Sequence, residues 1–356
     1  MASIVSRRLH AQGLAGTTAG SAVDVLRRMG AIQAQDYGAA TWGLGLRCRR
    51  STEIEVDRLF DGGSILRTHL MRPTWHFVLP EDVRWLLDLT GPRVRQGAAG
   101  RYRELGIDAA AISRSQAAFT AALAGGRHLT RPELGEVLAR AGVPPNGQRL
   151  PHLLMAAELD GLIVSGPRRG RQFTWALLDE RVPPARPLER DEALLELTLR
   201  FFRSRGPAQV QDFVWWSGLT AADARAGIAA AGGGLGREVL DGREHWCDAA
   251  APAPSRSRRV AHLLPNFDEY TVAYRDRSAI HSDGAIDPAM LSFGSILSNV
   301  VIVGGRVRGA WARHVTAGEL RVELRLPEPL TGAEREAVEA AVSRLGGFLG
   351  RPAQLA

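Results

Sequence analysis

A repeated order of helical and extended segments constrains the fold of this chain more than any other feature. Between residues 113 and 178, "SRSQAAFTAALAGG", "RPELGEVLARAG" and "NGQRLPHLLMAAELDG" have the apolar spacing, the early proline or the final glycine of short helices. The next segment, "LIVSGPRRGRQFTWALL", has two apolar runs around a Gly, Pro and Arg tip, which predicts a β-hairpin. Three helices followed by a hairpin predict a winged helix-turn-helix.

The same order occurs twice more. Three helical segments precede "GREVLDGREHWC", whose Asp241-Gly242 pair predicts a hairpin turn. In the N-terminal third, "TTAGSAVDVLRRMG" and "STEIEVDRLFDGG" precede the candidate hairpin "SILRTHLMRPTWHFV" and the helix "PEDVRWLLDLTGPRV". The sequence thus predicts winged helices at 1–112, 113–185 and 186–250.

The remaining segment, 251–356, has a different pattern. A linker over 249–259 precedes three segments predicted as strands, and the chain closes with the helix "TGAEREAVEAAVSRLGGFLG". The three predicted strand segments are "AHLLPNFDEYTVAYRDRS", "NVVIVGGRVRGAWARHV" and "GELRVELRLP". The predicted fold class is α+β, with three tandem winged helices and a β-rich, barrel-like C-terminal unit.

The composition limits the compartment and the chemistry. The first ten residues carry charge where a signal peptide needs an apolar core, and no run of 18 apolar residues occurs. Cys48 and Cys247 are far apart and lack CxxC spacing, which argues against a disulfide framework or a cysteine metal site. We expect a cytoplasmic protein, located at the nucleoid when bound to DNA, without metal or cofactor and without a membrane contact.

The basic residues bear on both partner and mechanism. All 45 are arginine, a choice that a GC-rich genome explains, while the net charge of +7 indicates a polyanionic partner. Because the chain has no lysine, no side-chain amine can form a Schiff base with a carbonyl substrate.

Two glutamines in "AIQAQDYGAA" are the first candidate for chemistry. If this segment is extended, Gln33 and Gln35 lie on the same side, and their carboxamide oxygens can hold one water. The alternative is that both bridge backbone groups in a turn after the preceding helix. Asp36 and Tyr37 follow directly and are further candidates.

Three other clusters have both a functional and a structural interpretation. The segment "RTHLMRPTWHF" either contacts phosphate and bases or packs its aromatic residues in the core with flanking histidines, and the wing tip "GPRRGRQF" either neutralises phosphates or is a solvated turn. In "LLPNFDEYTVAYRDR", the carboxylates either serve a site or cap a strand end, and the arginines at 256, 258 and 259 are assigned to the linker. The candidate residues of these clusters are Arg67, His69, Arg72, Thr74, Trp75, His76, Arg168, Arg169, Arg171, Asn266 and Asp268.

Together, "AIQAQD", "RTHLMRPTWHFVLPEDVRWLL" and "LLPNFDEYTVAYRDR", in this order on a tandem winged-helix chain, resemble the AlkZ/YcaQ family of DNA glycosylases. The resemblance covers nearly the whole chain. One branch of that family has Gln-aliphatic-Gln and the other Gln-aliphatic-Asp, so Gln33-Ala34-Gln35 implies the AlkZ-like branch, with only alanine in the middle.

The resemblance implies a monomeric enzyme that acts on double-stranded DNA and excises bulky or crosslinking N7-alkylpurines, in repair or in self-resistance to an alkylator. It implies that Gln33 and Gln35 are catalytic and that the other clusters contact the lesion or the DNA. An N7-alkylpurine is cationic and already a good leaving group, so neutral groups that place a water suffice. Without lysine, no lyase step is expected. The alternatives are a winged-helix regulator with sequence-specific affinity and a relative that only shields damaged DNA.

Overall fold

The computed structural model describes residues 3–16, 18–251, 260–281, 299–315 and 318–356. The chain divides into two compact units. The first unit consists of Met1–Asp57, Leu195–Trp216 and Thr220–Ala356, and the second of Arg58–Leu194 and Ser217–Leu219. The predicted division into four consecutive domains stays a prediction, and the arginines assigned to the linker at 256, 258 and 259 lie outside the described residues.

The first unit contains helices from both ends of the chain. Its helices are α1 (Ile4–Ala11), α2 (Ala22–Met29), α3 (Tyr37–Gly45), α4 (Glu53–Asp61), α10 (Arg190–Arg205), α11 (Val210–Ser217), α12 (Ala221–Ala231), α13 (Glu269–Val272) and α14 (Gly332–Leu349). The boundaries between the two units fall within α4, α10 and α11. The sequence determines where α12 and α14 begin. Thr220 with Asp223 and Thr331 with Glu334 form capping boxes, which satisfy the first N–H groups of these two helices.

Apart from its first, two-residue strand, the strands of the first unit form a hairpin and a larger sheet. They are β1 (Ile32–Gln33), β7 (Leu235–Leu240), β8 (Arg243–Asp248), β9 (Ala261–Leu264), β10 (Val300–Val303), β11 (Arg306–Val315), β12 (Leu320–Arg325) and β13 (Ala353–Leu355). The last five form one sheet in the order β13-β12-β11-β10-β9, antiparallel except for the parallel β12–β13 pair. Helix α14, whose Val338 and Leu345 are buried, packs against β9, β10 and β13 of this sheet. The β-rich character predicted for the C-terminal segment is therefore confirmed.

The second unit is built around one apolar core. Its elements are β2 (Leu66–Leu70), β3 (Thr74–Val78), α5 (Pro80–Glu104), α6 (Ala109–Leu123), β4 (Leu129–Thr130), α7 (Arg131–Arg140), α8 (Arg149–Leu159), β5 (Ile163–Ser165), β6 (Thr174–Leu177) and α9 (Leu178–Arg181). Phe119, Leu134 and Leu153, one from each of α6, α7 and α8, are fully buried and pack with Trp175 of β6. Burial of such large side chains stabilises the unit by about 1.5–3 kcal/mol each.

The three predicted hairpins are confirmed as antiparallel pairs. They are β2–β3, β5–β6 and β7–β8. The turn of β7–β8 has positive φ at both Asp241 (51°) and Gly242 (72°), the conformation that an Asp-Gly pair favours. The number of winged helices stays a prediction.

One predicted strand is largely wrong. In "AHLLPNFDEYTVAYRDRS" the strand ends at Leu264, and Glu269–Val272 forms a helical turn. Pro265 follows the strand, and the carboxylate of Asp268 accepts a hydrogen bond from the Tyr270 N–H (2.9 Å), which starts the helix instead. Among the described residues, no helix is long and apolar enough to cross a membrane.

Candidate functional site

The segment with the paired glutamines is extended over two residues only. Strand β1 ends at Gln33, which is 2% exposed, and the chain bends at Gln35 and Asp36, where both residues are exposed. The two glutamines therefore differ in exposure, one buried and one open to solvent. That their carboxamides hold one water stays a prediction.

Asp36 and Tyr37 have structural partners. Asp36 is the N-cap of α3, and its Oδ1 accepts a hydrogen bond from the Ala39 N–H (3.0 Å). The Tyr37 hydroxyl donates to Asp57 Oδ1 (2.8 Å). The cap fixes the position at which the helix begins, directly after Gln35.

A buried carboxylate holds the other end of the glutamine segment. Oε1 of Glu269 accepts a hydrogen bond from the Gln33 N–H (3.0 Å), and its Oε2 accepts from Arg205 Nη2 (2.7 Å) and from Trp216 Nε1 (3.0 Å). Arg205 also donates to the carbonyl oxygens of Met29 (2.9 Å) and Ala31 (2.8 Å). The backbone just before β1 and at its last residue is thereby bonded to one ion pair.

The neighbouring residue, Asp268, belongs to a second buried ion pair. Its two carboxylate oxygens accept hydrogen bonds from Arg47 Nη1 and Nη2, both at 2.8 Å, and the side chains are 1% and 0% exposed. Arg47 also donates to Gln12 Oε1 (2.7 Å). Asn266 is half-buried, and its N–H donates to Asn299 Oδ1 (2.7 Å). The structure thus places Asp268 in the interior, where it does not present a carboxylate to DNA.

In the second unit, one face of the β2–β3 hairpin combines aromatic and cationic side chains. Arg67 and His69 are two residues apart on β2 and therefore point to the same side of the strand. On β3, Arg67 lies opposite Phe77 and His69 lies opposite Trp75. The His69 ring lies 4.4 Å from the Trp75 ring, and the Arg67 guanidinium lies 4.3 Å from the same ring. The shared face expected for Arg67 and His69 is confirmed.

The buried carboxylate of Glu158, a residue outside the candidate clusters of the sequence, holds His69 of this face in place. Its carboxylate bonds with the His69 Nδ1 and accepts hydrogen bonds from the His69 N–H (3.0 Å) and Trp175 Nε1 (2.5 Å). Burial opposes ionisation of Glu158, but the charge and hydrogen bonds of His69 and Trp175 hold its pKa below the ordinary value.

The opposite face of the hairpin is interior. His76 is 0% exposed, and its Nδ1 lies 3.0 Å from the Thr74 carbonyl oxygen. Its placement favours a structural role. Arg72 and Thr74 are half-buried near the turn, where Met71 adopts a positive φ of 61°.

The three arginines of the β5–β6 tip differ in what holds them. Arg168 forms a two-point ion pair with Asp61, with Nε–Oδ1 and Nη2–Oδ2 distances of 3.1 and 3.0 Å. Arg169 donates to Glu133 Oε1 (2.8 Å), and Arg171 is exposed beside Gly170 in the turn. Burial opposes ionisation of Asp61, but its bonds from Arg168 lower its pKa overall. No group of three or more potential metal ligands occurs among the described residues.

A chain with this mixed fold and these motifs is a DNA glycosylase by family: it belongs to the AlkZ-like DNA glycosylase family, whose model, described as "DNA glycosylase AlkZ-like", matches residues 26–348. Membership supports glycosylase activity on DNA and confirms the family inferred from the motifs.

Two individual proteins are similar to this chain over nearly its whole length. The "Interstrand DNA cross-link repair glycosylase" of Streptomyces sahachiroi is 26% identical over 95% of this chain and 96% of its own length. The solved structure of Streptomyces sahachiroi DNA glycosylase AlkZ has a TM-score of 0.79 at 22% identity and covers 100% of both chains, which shows a shared fold. Neither the family match nor these relatives support the alternative of a transcriptional regulator.

Proposed function

We propose that this protein is a monofunctional DNA glycosylase that hydrolyses the N-glycosidic bond of bulky or crosslinking N7-alkylpurines. The observation that carries the proposal is the fixed backbone of Gln33-Ala34-Gln35, bonded to Glu269 at its start and followed by the Asp36 cap. Family membership supports the reaction class, and the cross-link repair named for the Streptomyces relative supports crosslinked DNA as a substrate. The three winged helices, as predicted from the sequence, would supply the DNA-binding scaffold.

In the proposed mechanism, carboxamides orient the water. Gln35 is exposed and presents its carboxamide oxygen to the water, while the buried Gln33 orients the same segment from within. The substrate base is already cationic, so no strong acid is needed, and negative dipole ends stabilise the positive charge that develops on the sugar. Because the chain lacks lysine, no side-chain amine competes with water as nucleophile.

The test of this function is release of the damaged base. Purified protein is incubated with duplex DNA that carries N7-methylguanine or a nitrogen-mustard crosslink, and abasic sites are detected by alkaline cleavage. We expect abasic sites in the absence of added cofactor, with strand breaks appearing only after alkali. DNA binding without abasic sites on either substrate would contradict the proposal and favour a protein that shields damage.

The tip of β5–β6 is proposed to contact phosphate through Arg171. Because Arg171 is exposed and the Arg168 guanidinium is bound to Asp61, we expect Arg171→Gln to reduce DNA affinity more than Arg168→Gln does. Loss of one phosphate contact lowers the slope of log K against log salt concentration by about 0.9. The measurement is fluorescence anisotropy on undamaged duplex DNA at several salt concentrations. Equal slopes for wild type and Arg171→Gln would contradict the proposed contact between Arg171 and phosphate.

A further inference from the structure

An ion pair sits against the backbone of the proposed catalytic segment. Glu269 and Arg205 are 1% and 0% exposed, and Arg205 bonds Glu269 Oε2 through both Nε (2.9 Å) and Nη2 (2.7 Å). The Arg205 guanidinium also lies 4.3 Å from the ring of Trp216. Three donors thus converge on one carboxylate oxygen, and the other oxygen faces the Gln33 N–H.

The contacts to residues 29–33 alternate along the chain. Arg205 donates to the carbonyl oxygens of Met29 and Ala31, and Glu269 accepts from the N–H of Gln33. Each backbone group is bonded to a charged partner, and such hydrogen bonds are roughly twice as strong as those between neutral groups. A small displacement of Glu269 is therefore transmitted directly to the position at which the Gln33 side chain starts.

We infer that Glu269 is a positioning residue for this glycosylase, which sets the placement of the Gln33-Ala34-Gln35 segment through the Gln33 N–H and the Arg205 pair. The inference rests on the proposed function of the two glutamines. Glu269 is buried and bonded to protein groups on both oxygens, so it acts on the segment and not on the substrate. Orientation to within about 1 Å decides rates by up to about 10²-fold, which is the scale on which such a residue acts.

The decisive variant is Glu269→Gln, which keeps the volume but removes one acceptor. The amide can satisfy either the Arg205 side or the Gln33 N–H, and the NH₂ group then opposes the remaining donors. We expect the single-turnover excision rate to fall by about 10²-fold while the dissociation constant for DNA changes less than about twofold.

A matched control comes from another buried carboxylate of the same unit. Asp212 is 1% exposed, pairs with Arg8 (Nη2–Oδ2, 3.7 Å) and bonds the backbone N–H groups of Gln209 and Arg275, away from residues 29–33. Asp212→Asn is expected to lower stability but to retain excision in the folded protein. Rates are compared well below both melting temperatures. Equal loss of excision in the two variants would mean that Glu269 is merely structural, and would overturn the inference.

A double-mutant cycle provides the sharper readout. If Glu269 acts through the Gln33-Ala34-Gln35 segment, Glu269→Gln will have no further effect on the residual excision rate in a Gln33→Ala/Gln35→Ala background, where the side chains that it positions are absent. Additive losses would overturn the inference.

Amide hydrogen exchange separates this inference from the proposed function. In Glu269→Gln, exchange of the Gln33 N–H is expected to rise at least about tenfold, since the bond that protects it is weakened, while Asp212→Asn leaves it unchanged. Unchanged exchange in Glu269→Gln overturns the positioning role. Absence of excision by the wild-type protein on every adduct, with the exchange result as expected, would instead contradict the proposed function.

Discussion

Replacement of both Gln33 and Gln35 by alanine is expected to lower the single-turnover excision rate by about 10²–10³-fold, the scale found when one preorganised polar group is removed from an active site. The reason is that the carboxamides place the water and stabilise developing positive charge, while the substrate supplies its own leaving-group activation. DNA affinity and melting temperature are expected to change little, because the Gln33 N–H stays bonded to Glu269 and the Asp36 cap on the Ala39 N–H of α3 is retained.

The chain itself offers a matched control for this prediction. A second Gln-x-Gln-Asp sequence occurs at Gln209-Val210-Gln211-Asp212, at the start of α11, where Gln211 Oε1 accepts from Arg275 Nη1 (3.3 Å). Alanine at Gln209 and Gln211 is expected to leave excision unchanged. Loss of excision in this control with retention in Gln33→Ala/Gln35→Ala would assign the chemistry to the wrong segment and end the proposed mechanism.

The two single variants show which glutamine contributes more to the excision rate. Because Gln35 is exposed and Gln33 is buried, we expect Gln35→Ala to lower the rate at saturating enzyme at least as much as Gln33→Ala does. Because Gln33 is proposed to orient the segment from which Gln35 holds the water, the two losses are not additive, and the double variant should be only slightly worse than the stronger single one.

Local patterns in the sequence predicted most of the elements. The hairpins followed from apolar runs around turn residues, and Asp241-Gly242 determined the type of its turn because both residues tolerate positive φ. The strand predicted through "NFDEYTV" failed because the Asp268 cap is a local competitor that apolar content does not reveal.

The candidate site was only partly predictable, because its partners are far apart in the sequence. Glu269 lies 236 positions from Gln33 and 64 from Arg205, and neither separation leaves a periodic signal. The sequence makes Asp268 a candidate DNA contact, because its neighbours along the chain do not show that the fold buries it beside the opposite charge of Arg47. Only the three-dimensional structure shows which charged residues are buried and which opposite charges they pair with.

The second large effect concerns stability. Asp268→Ala is expected to reduce the free energy of unfolding by about 3–5 kcal/mol, because it leaves the Arg47 charge buried without its carboxylate. Both carboxylate oxygens are bonded to Arg47, and neither side chain is more than 1% exposed. The measurement is urea-induced unfolding followed by far-UV circular dichroism and tryptophan fluorescence.

The stability loss of Asp268→Ala is compared with that of Asp61→Ala, which breaks a more exposed ion pair. Asp61→Ala breaks the pair with Arg168, whose side chains are 37% and 16% exposed, and solvent can replace the lost carboxylate, so a loss of only about 1 kcal/mol or less is expected. The DNA affinity of folded Asp268→Ala should equal that of wild type. Retained stability together with weakened DNA binding would instead assign Asp268 to the DNA surface, the role first suggested by the sequence, and would show that the Arg47 pair does not hold this part of the unit.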